Sequence, residues 1–193
     1  MLKFDAEKHE YRYDGAIVPN VTEALKDLGF IDADHYTEYG RQRGTLVHTL
    51  CQYHDEGDLD PQSVDPKLAG YLKSWTEFLR ITGAKVKEVE RRGYHPLYRY
   101  AGTMDRILDW LGRLWVVDLK TGKPEAWHPF QTAAYTIILP PALAYKRGGV
   151  YLKEDGSLAD FVPHDDLDDG AHFLNILSVH HLRRHYGLNR PKS

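Results

Sequence analysis

Apolar positions change period repeatedly along this chain, and each change marks a different kind of element. Residues 11–18, Tyr-Arg-Tyr-Asp-Gly-Ala-Ile-Val, alternate around Asp14-Gly15, the pairing that tight hairpin turns favour. Pro19 closes that hairpin. Asn20 with Glu23 three residues on reads as a capping box, opening a short helix that Gly29 ends. A second helix is predicted from about 34 to 56, its first half weakened by Gly40 and Gly44. Residues 58–66 are polar and loop-like. From 66 to about 81, Leu68, Tyr71, Leu72, Trp75, Phe78 and Leu79 recur at helical spacing, a core stripe with no chemistry of its own.

The period then shortens. Segments 85–92, 99–108 and 114–119 carry strand patterns joined by short turns, including 109–113. A helix is predicted over 129–139, stopped by Pro140-Pro141. Segments 149–153 and 158–162 flank Asp155-Gly156 as a further hairpin, and Asp166 or Asp168 caps a last helix reaching about Tyr186. Helices, a run of strands, a helix, a hairpin and a final helix predict an α/β fold with a mixed central β-sheet flanked by helices. No repeat or linker divides residues 1–193, so a single domain is expected.

Composition narrows the function classes. With 42% hydrophobic and 27% charged residues, the chain has a globular balance rather than a disordered one. A formal charge of −3 argues against coating nucleic acid by bulk attraction, although a local basic groove remains compatible with it. One cysteine, Cys51, excludes an internal disulfide and a four-cysteine zinc or iron–sulfur site. The first residues lack the apolar run of a signal peptide and no stretch has transmembrane length. The expectation is therefore a cytoplasmic location, or less readily an organelle matrix, with no membrane partner.

Candidate chemistry lies on the predicted strands. Along 114–120, Leu114, Val116, Asp118 and Lys120 share one face, while Trp115, Val117 and Leu119 share the other and should pack on a helix. Asp105, expected at the beginning of the neighbouring strand after Gly102, would bring a second carboxylate beside Asp118 and Lys120. Carboxylates hold hard divalent cations, and an ammonium steadies developing negative charge. An Asp-x-Lys tripeptide alone reads equally well as a solvated ion pair. His48 stands on the second predicted helix, Glu88 and Glu90 share a strand face, and Gln131 and Tyr135 share a helix face four residues apart.

The ordered set His9-Glu10-Tyr11, Pro19-Asn20-Val21-Thr22, Arg43-Gly44-Thr45-x-x-His48, Glu90, Gly102-x-x-Asp105, Asp118-x-Lys120 and Gln131-x-x-x-Tyr135 resembles the PD-(D/E)XK nuclease superfamily. The resemblance is to its branch of RecB-like and mitochondrial genome-maintenance-type exonucleases, which includes phage-encoded members, and it spans nearly the whole chain. It implies a restriction-endonuclease-like core and a metal-dependent deoxyribonuclease, acting as an exonuclease on linear or single-stranded ends in replication, recombination, repair or phage DNA processing. Its rivals are a structure-specific endonuclease on the same fold and a non-catalytic nucleic-acid-binding subunit.

By the same resemblance, His48, Asp105, Asp118 and the Leu119 carbonyl correspond to ligands of Mg²⁺ or Mn²⁺. Lys120 corresponds to the catalytic lysine, Glu90 to an additional acidic residue, and Gln131 with Tyr135 to a helix motif of the active site. The chain departs from the pattern in Asn20, where Ser is usual, and in lacking the cysteine quartet of relatives that carry an iron–sulfur cluster. DNA is the implied partner, with an annealing protein, helicase or polymerase as the protein partner class, in a bacterial or phage-infected cell. Arg41, Arg43, Lys123 and Lys146-Arg147 are candidate phosphate contacts. Trp127, ahead of Tyr98, Tyr100 and Phe130, is the candidate for stacking on unpaired bases. His172, His180, His181 and His185 lack a cysteine or a third spaced ligand and read as an amphipathic helix rather than a zinc site. Thr121-Gly122-Lys123 lacks the flanking residues of a phosphate loop.

Overall fold

The structure is a computed structural model and describes residues 1–6, 8–32, 37–140 and 144–188. Three short strands, β1 (Leu2–Asp5), β2 (Glu10–Tyr13) and β3 (Ala16–Val18), form an antiparallel sheet in that order. The Asp14-Gly15 hairpin is present, with both residues at positive φ. β1 was not foreseen, because four residues at the chain start are too few to reveal their alternation. Helix α1 (Val21–Asp27) has the full capping box: the Asn20 side chain accepts from the Glu23 amide, and the Glu23 side chain accepts from the Asn20 amide.

Helix α2 (Glu38–Glu56) starts from a Thr37 cap and ends at left-handed Gly57. The predicted start near 34 lies outside the described residues. Residues 58–66 hold a short 3₁₀ turn, Pro61–Ser63, before Asp65 and Pro66 open α3 (Pro66–Thr82). The main sheet follows: β4 (Lys85–His95), β5 (Tyr100–Trp110), β6 (Arg113–Lys120), β7 (Lys146–Tyr151) and β8 (Asp160–Pro163), in that spatial order. Among the described strands only β6 and β7 pair in parallel; the crossover between them carries α4 (His128–Ile138), and α5 (Asp169–Tyr186) follows β8. The mixed five-stranded sheet flanked by helices is as expected.

Several boundaries differ from expectation: β4 continues past 92 to His95, and β7 runs over Lys146–Tyr151 rather than 149–153. The 109–113 turn shrinks to Leu111-Gly112, both at positive φ, the conformation of a two-residue hairpin turn that continues strand twist. Asp168 sits at the N-cap of α5 but makes no side-chain cap bond, whereas Asp166 accepts from the Asp168 amide.

The sheet separates two cores. On one face Val116, Tyr100, Met104 and Ile107 meet α1, α4 and α5 through Leu25, Tyr135, Phe173 and Leu177. On the other, Trp115, Val117 and Leu119 meet α2 and α3 through Val47, Cys51, Trp75 and Phe78. The apolar triplet of β6 therefore packs on helices as its alternation requires. Burial pushes the Cys51 thiol up to about 12, which leaves it a packing residue without nucleophilic chemistry.

β5 is the element that positions the site. Its pairing with β6 runs from Trp110 back to Arg106 and stops there, while Ala101, near its other end, is bridged to Asn20. Asp105 therefore lies in the middle of β5, not at its beginning, where that strand parts from β6. Met104 and Ile107 face the same core, so strict alternation breaks around Asp105. In β4 the register with β5 shifts between Val86 and Glu88, and Glu90 carries a φ of 46°. Strands held in such conformations cluster at functional sites.

Gly70 sits where α3 meets the turn between β7 and β8, and a Cβ there would overlap the Glu154 carbonyl oxygen. Gly44 on α2 is different: its Cβ would meet only Thr121 Oγ1, at 3.8 Å. Gly70→Ala is expected to destabilise by about 1–3 kcal/mol or more, and Gly44→Ala to stabilise by at most about 1 kcal/mol through helix propensity. Urea unfolding of the two variants checks both signs.

Candidate metal centre and active site

Where β5 leaves β6, the Leu119 amide has no strand partner on β5 and donates to Asp105 Oδ2 at 2.8 Å. The fork thus turns a backbone donor into an anchor for a buried carboxylate. His48, reaching from α2, places Nδ1 at 3.4 Å from the same oxygen. Glu90 lies across from Asp105, since Val89 pairs with Arg106 and Arg91 with Met104. One ligand atom each from His48, Glu90 and Asp105 falls within a mutual 4.8 Å, a group that could hold a metal ion. Glu88 is not part of that group and pairs with Arg91 at 2.6 Å.

Asp118 sits beside this group rather than within it. Its Oδ2 is 2.6 Å from Lys120 Nζ, yet that buried oxygen receives no well-directed hydrogen bond. Paired with the ammonium by charge but given no directed hydrogen bond, that oxygen keeps lone-pair capacity that a divalent cation could take. The donor set, two or three carboxylates and one imidazole, fits a divalent ion that prefers oxygen with some tolerance for nitrogen.

Lys120 is held from three sides. Beyond Asp118, Nζ donates to Gln131 Oε1 at 2.9 Å and stands 4.7 Å from the centre of the Trp127 ring. Gln131 Nε2 in turn donates to the Tyr135 hydroxyl at 2.9 Å, so the two α4 residues do share one face and form a chain ending on the lysine. Burial raises the Tyr135 pKa well above 10, with Asp118 and Asp105 adding to it, so the phenol stays protonated.

Glu90 and Asp118 are crowded enough to hold protons more tightly than a free carboxylate. Burial, then the charge of Asp105, raises Glu90 to about 7. Burial and Asp105 raise Asp118 to about 6 against the pull of Lys120 and His48. Burial alone would lower His48, but Asp105 and Asp118 outweigh it and lift the imidazole to about 9. For Asp105, burial is outweighed by His48, Lys120 and the Leu119 amide, which hold it below the usual carboxylate range.

His48, Glu90, Asp105, Asp118, Lys120, Gln131 and Tyr135 line one cleft of about 450 Å³, walled by Tyr11, Thr103, Arg92 and the α1 start. Tyr11 and Thr103 close that wall with a 2.6 Å hydroxyl contact. A second cleft of about 260 Å³ adjoins it across His48 and Lys120, and Arg41, Lys123 and Trp127 lie along it. Arg41 is paired with Glu38 at 2.9 Å. Arg43 lines neither cleft; it stands over the Tyr39 and Tyr71 rings instead. Trp127 is only 8% exposed, belongs to the core and donates to Glu125, so little of its ring is open to a base.

The other candidates have structural partners. Lys146 pairs with Asp165, and Arg147 with Asp169 and two backbone carbonyls. Tyr100 is buried and donates to the Ala134 carbonyl, and Phe130 packs against the core. His180 meets Asp27, and His181 meets the Tyr98 carbonyl.

Sequence reasoning missed Asp55 and Arg106. Arg106 is fully buried, donating from Nε to Asp55 at 2.6 Å and from Nη1 to the Asp105 carbonyl at 2.6 Å and Glu90 at 3.3 Å. Asp55 also accepts from Trp75 Nε1. The available signal was Asp105-Arg106, two adjacent charges between the apolar residues Met104 and Ile107 of β5.

No protein-family model and no curated protein matches the chain. Among solved structures it is similar to SSO0001, with 17% identity, a TM-score of 0.41, and coverage of 89% of this chain and 85% of that one. It is also similar to LHK-Exo, solved in complex with dAMP, with 14% identity, a TM-score of 0.33, and coverage of 88% and 93% respectively. Both likenesses are distant.

Proposed function

We propose that this chain is a divalent-metal-dependent nuclease that hydrolyses DNA phosphodiester bonds, as an exonuclease on linear or single-stranded ends. The observation that carries this reading is the meeting of His48, Glu90, Asp105 and Asp118 with an ammonium, Lys120, in one open cleft. An isolated structural ion pair joins one carboxylate to one cation, whereas this cleft gathers three carboxylates side by side and offsets them only from its edge, through His48, Lys120 and Arg106.

His48, Glu90 and Asp105 would hold Mg²⁺ or Mn²⁺, with Asp118 and the Leu119 carbonyl as further ligands; the imidazole tilts the preference towards Mn²⁺. When bound, such an ion adds positive charge at the scissile phosphate and lowers the pKa of an attacking water. Lys120 orients that water and steadies the charge developing on the phosphate. Gln131, fixed by Tyr135, keeps the ammonium aimed into the cleft, so these two act through the lysine. Lys123 and Arg41, along the adjoining cleft, would position the strand through its phosphates without reading sequence.

Linear single-stranded DNA is expected to be degraded with Mg²⁺ or Mn²⁺ and left intact with EDTA. Lys120→Ala or Asp118→Ala should slow digestion by about 100- to 1000-fold. A single-stranded circle should resist; its cleavage would instead favour the endonuclease reading. Binding of DNA with no cleavage under either ion would favour the non-catalytic subunit.

Cation binding must displace protons from His48, Glu90 and Asp118, whose values lie at about 9, 7 and 6. Below those values the protons hold the ligands, so affinity rises as pH rises. Calorimetric Mn²⁺ titration is expected to tighten from pH 6 to pH 9, with proton release read from buffers of differing ionisation enthalpy. A flat profile would contradict the assigned ligands.

A further inference from the structure

Arg106 is a peculiar residue to find in a sheet interior. Its guanidinium has no exposure, its Nη2 hydrogens meet no acceptor, and its ion-pair partner Asp55 is equally buried. As a device for stability this is poor, because two desolvated charges and an unmet donor offset much of what their attraction contributes. What the arrangement does achieve is geometric. The fork spans two strands and a helix: Nε grips Asp55 on α2, while Nη1 grips both the Asp105 carbonyl and the Glu90 carboxylate. Trp75 on α3 and His54 hold Asp55 in place from the other side.

Glu90 needs such a restraint. Its backbone has a φ of 46°, which side chains with a Cβ rarely adopt, and its carboxylate faces that of Asp105. Two carboxylates repel, so Glu90 left alone would swing towards solvent, since its side chain is 24% exposed. Arg106 counters that repulsion from beneath, leaving the remaining oxygen of Glu90 free to face His48 and Asp105.

We infer that Arg106, braced by Asp55 and Trp75, is a positioning residue that holds Glu90 in the metal-ligating group with His48 and Asp105. The role rests on the metal-dependent reading proposed above. Residues that orient ligands from behind typically change metal affinity by about 10–100-fold when removed. Arginine is suited to it because one rigid fork can serve several acceptors at once, which lysine cannot.

The test measures Mn²⁺ affinity by calorimetry on the full chain, for wild type, Glu90→Gln, Arg106→Met combined with Asp55→Asn, and all three changes together. The paired substitution avoids leaving one charge buried alone. Arg106→Lys, which keeps the charge facing Asp55 but loses the fork, serves as a second variant should the pair fail to fold. Arg106→Lys and the pair are expected to weaken Mn²⁺ binding by about 10–100-fold, and neither the pair nor Arg106→Lys, each also made in the Glu90→Gln background, should weaken it further there. A purely structural role would lower the unfolding temperature while leaving Mn²⁺ affinity unchanged. Equal affinity in the variants, or losses that add to that of Glu90→Gln, would overturn the role of Arg106 alone. Wild-type protein that binds no Mn²⁺ would overturn the metal reading, and this role with it.

Discussion

Three buried or half-buried carboxylates, Glu90, Asp105 and Asp118, share one end of a β-sheet, and their mutual repulsion is the constraint on which the site turns. Carboxylates this close cannot all ionise cheaply in a poorly solvated place. The protein offsets the repulsion with cations placed around its edge: His48 above Asp105, Lys120 against Asp118, Arg106 behind Glu90. Lys120 is pinned further by Gln131 and Arg106 by Asp55, so the cluster is held open rather than collapsed. A divalent ion at its centre would satisfy the same charges more completely, including the Asp118 oxygen, which the Lys120 ammonium approaches at 2.6 Å without a well-directed hydrogen bond.

The fold supplies this arrangement through one departure from regularity. β5 pairs with β6 along its second half, while its first half turns towards the Asn20 segment. The parting leaves the Leu119 amide to hold a side-chain carboxylate, and it opens space into which α2 can deliver His48. The same region carries the register shift and the positive φ of β4. Regular pairing through Asp105 would have closed the cleft. The apolar face of β6 behind the site, packed on Trp75 and Phe78, keeps the platform rigid; a site of this kind needs such support to hold its ligands in register.

Much of this was legible in the order of residues. The capping box at Asn20, the hairpin at Asp14-Gly15, the α3 stripe and the two faces of β6 follow from local rules, because each depends on neighbours a few positions away. Asp118 and Lys120 projecting together follows from the period of a strand alone. Long-range consequences were not legible in this way. Nothing local places Asp105 in mid-strand at a parting of strands, distinguishes Glu90 from Glu88 without the β4 register shift, or shows that Asp55, on a helix, meets Arg106 on a strand. Arg41 and Arg43 are two residues apart on α2 and so point in different directions; only packing reveals that Arg41 borders a cleft while Arg43 lies over Tyr39 and Tyr71.

A divalent ion in the cluster is what the chemistry assigned to these residues requires. Crystals grown with MnCl₂ and measured at the manganese absorption edge give the most direct answer. The expected result is one anomalous peak about 2.1–2.3 Å from ligand atoms of His48, Glu90 and Asp105. A well-ordered site without such a peak, or manganese bound only elsewhere on the molecule, would contradict it.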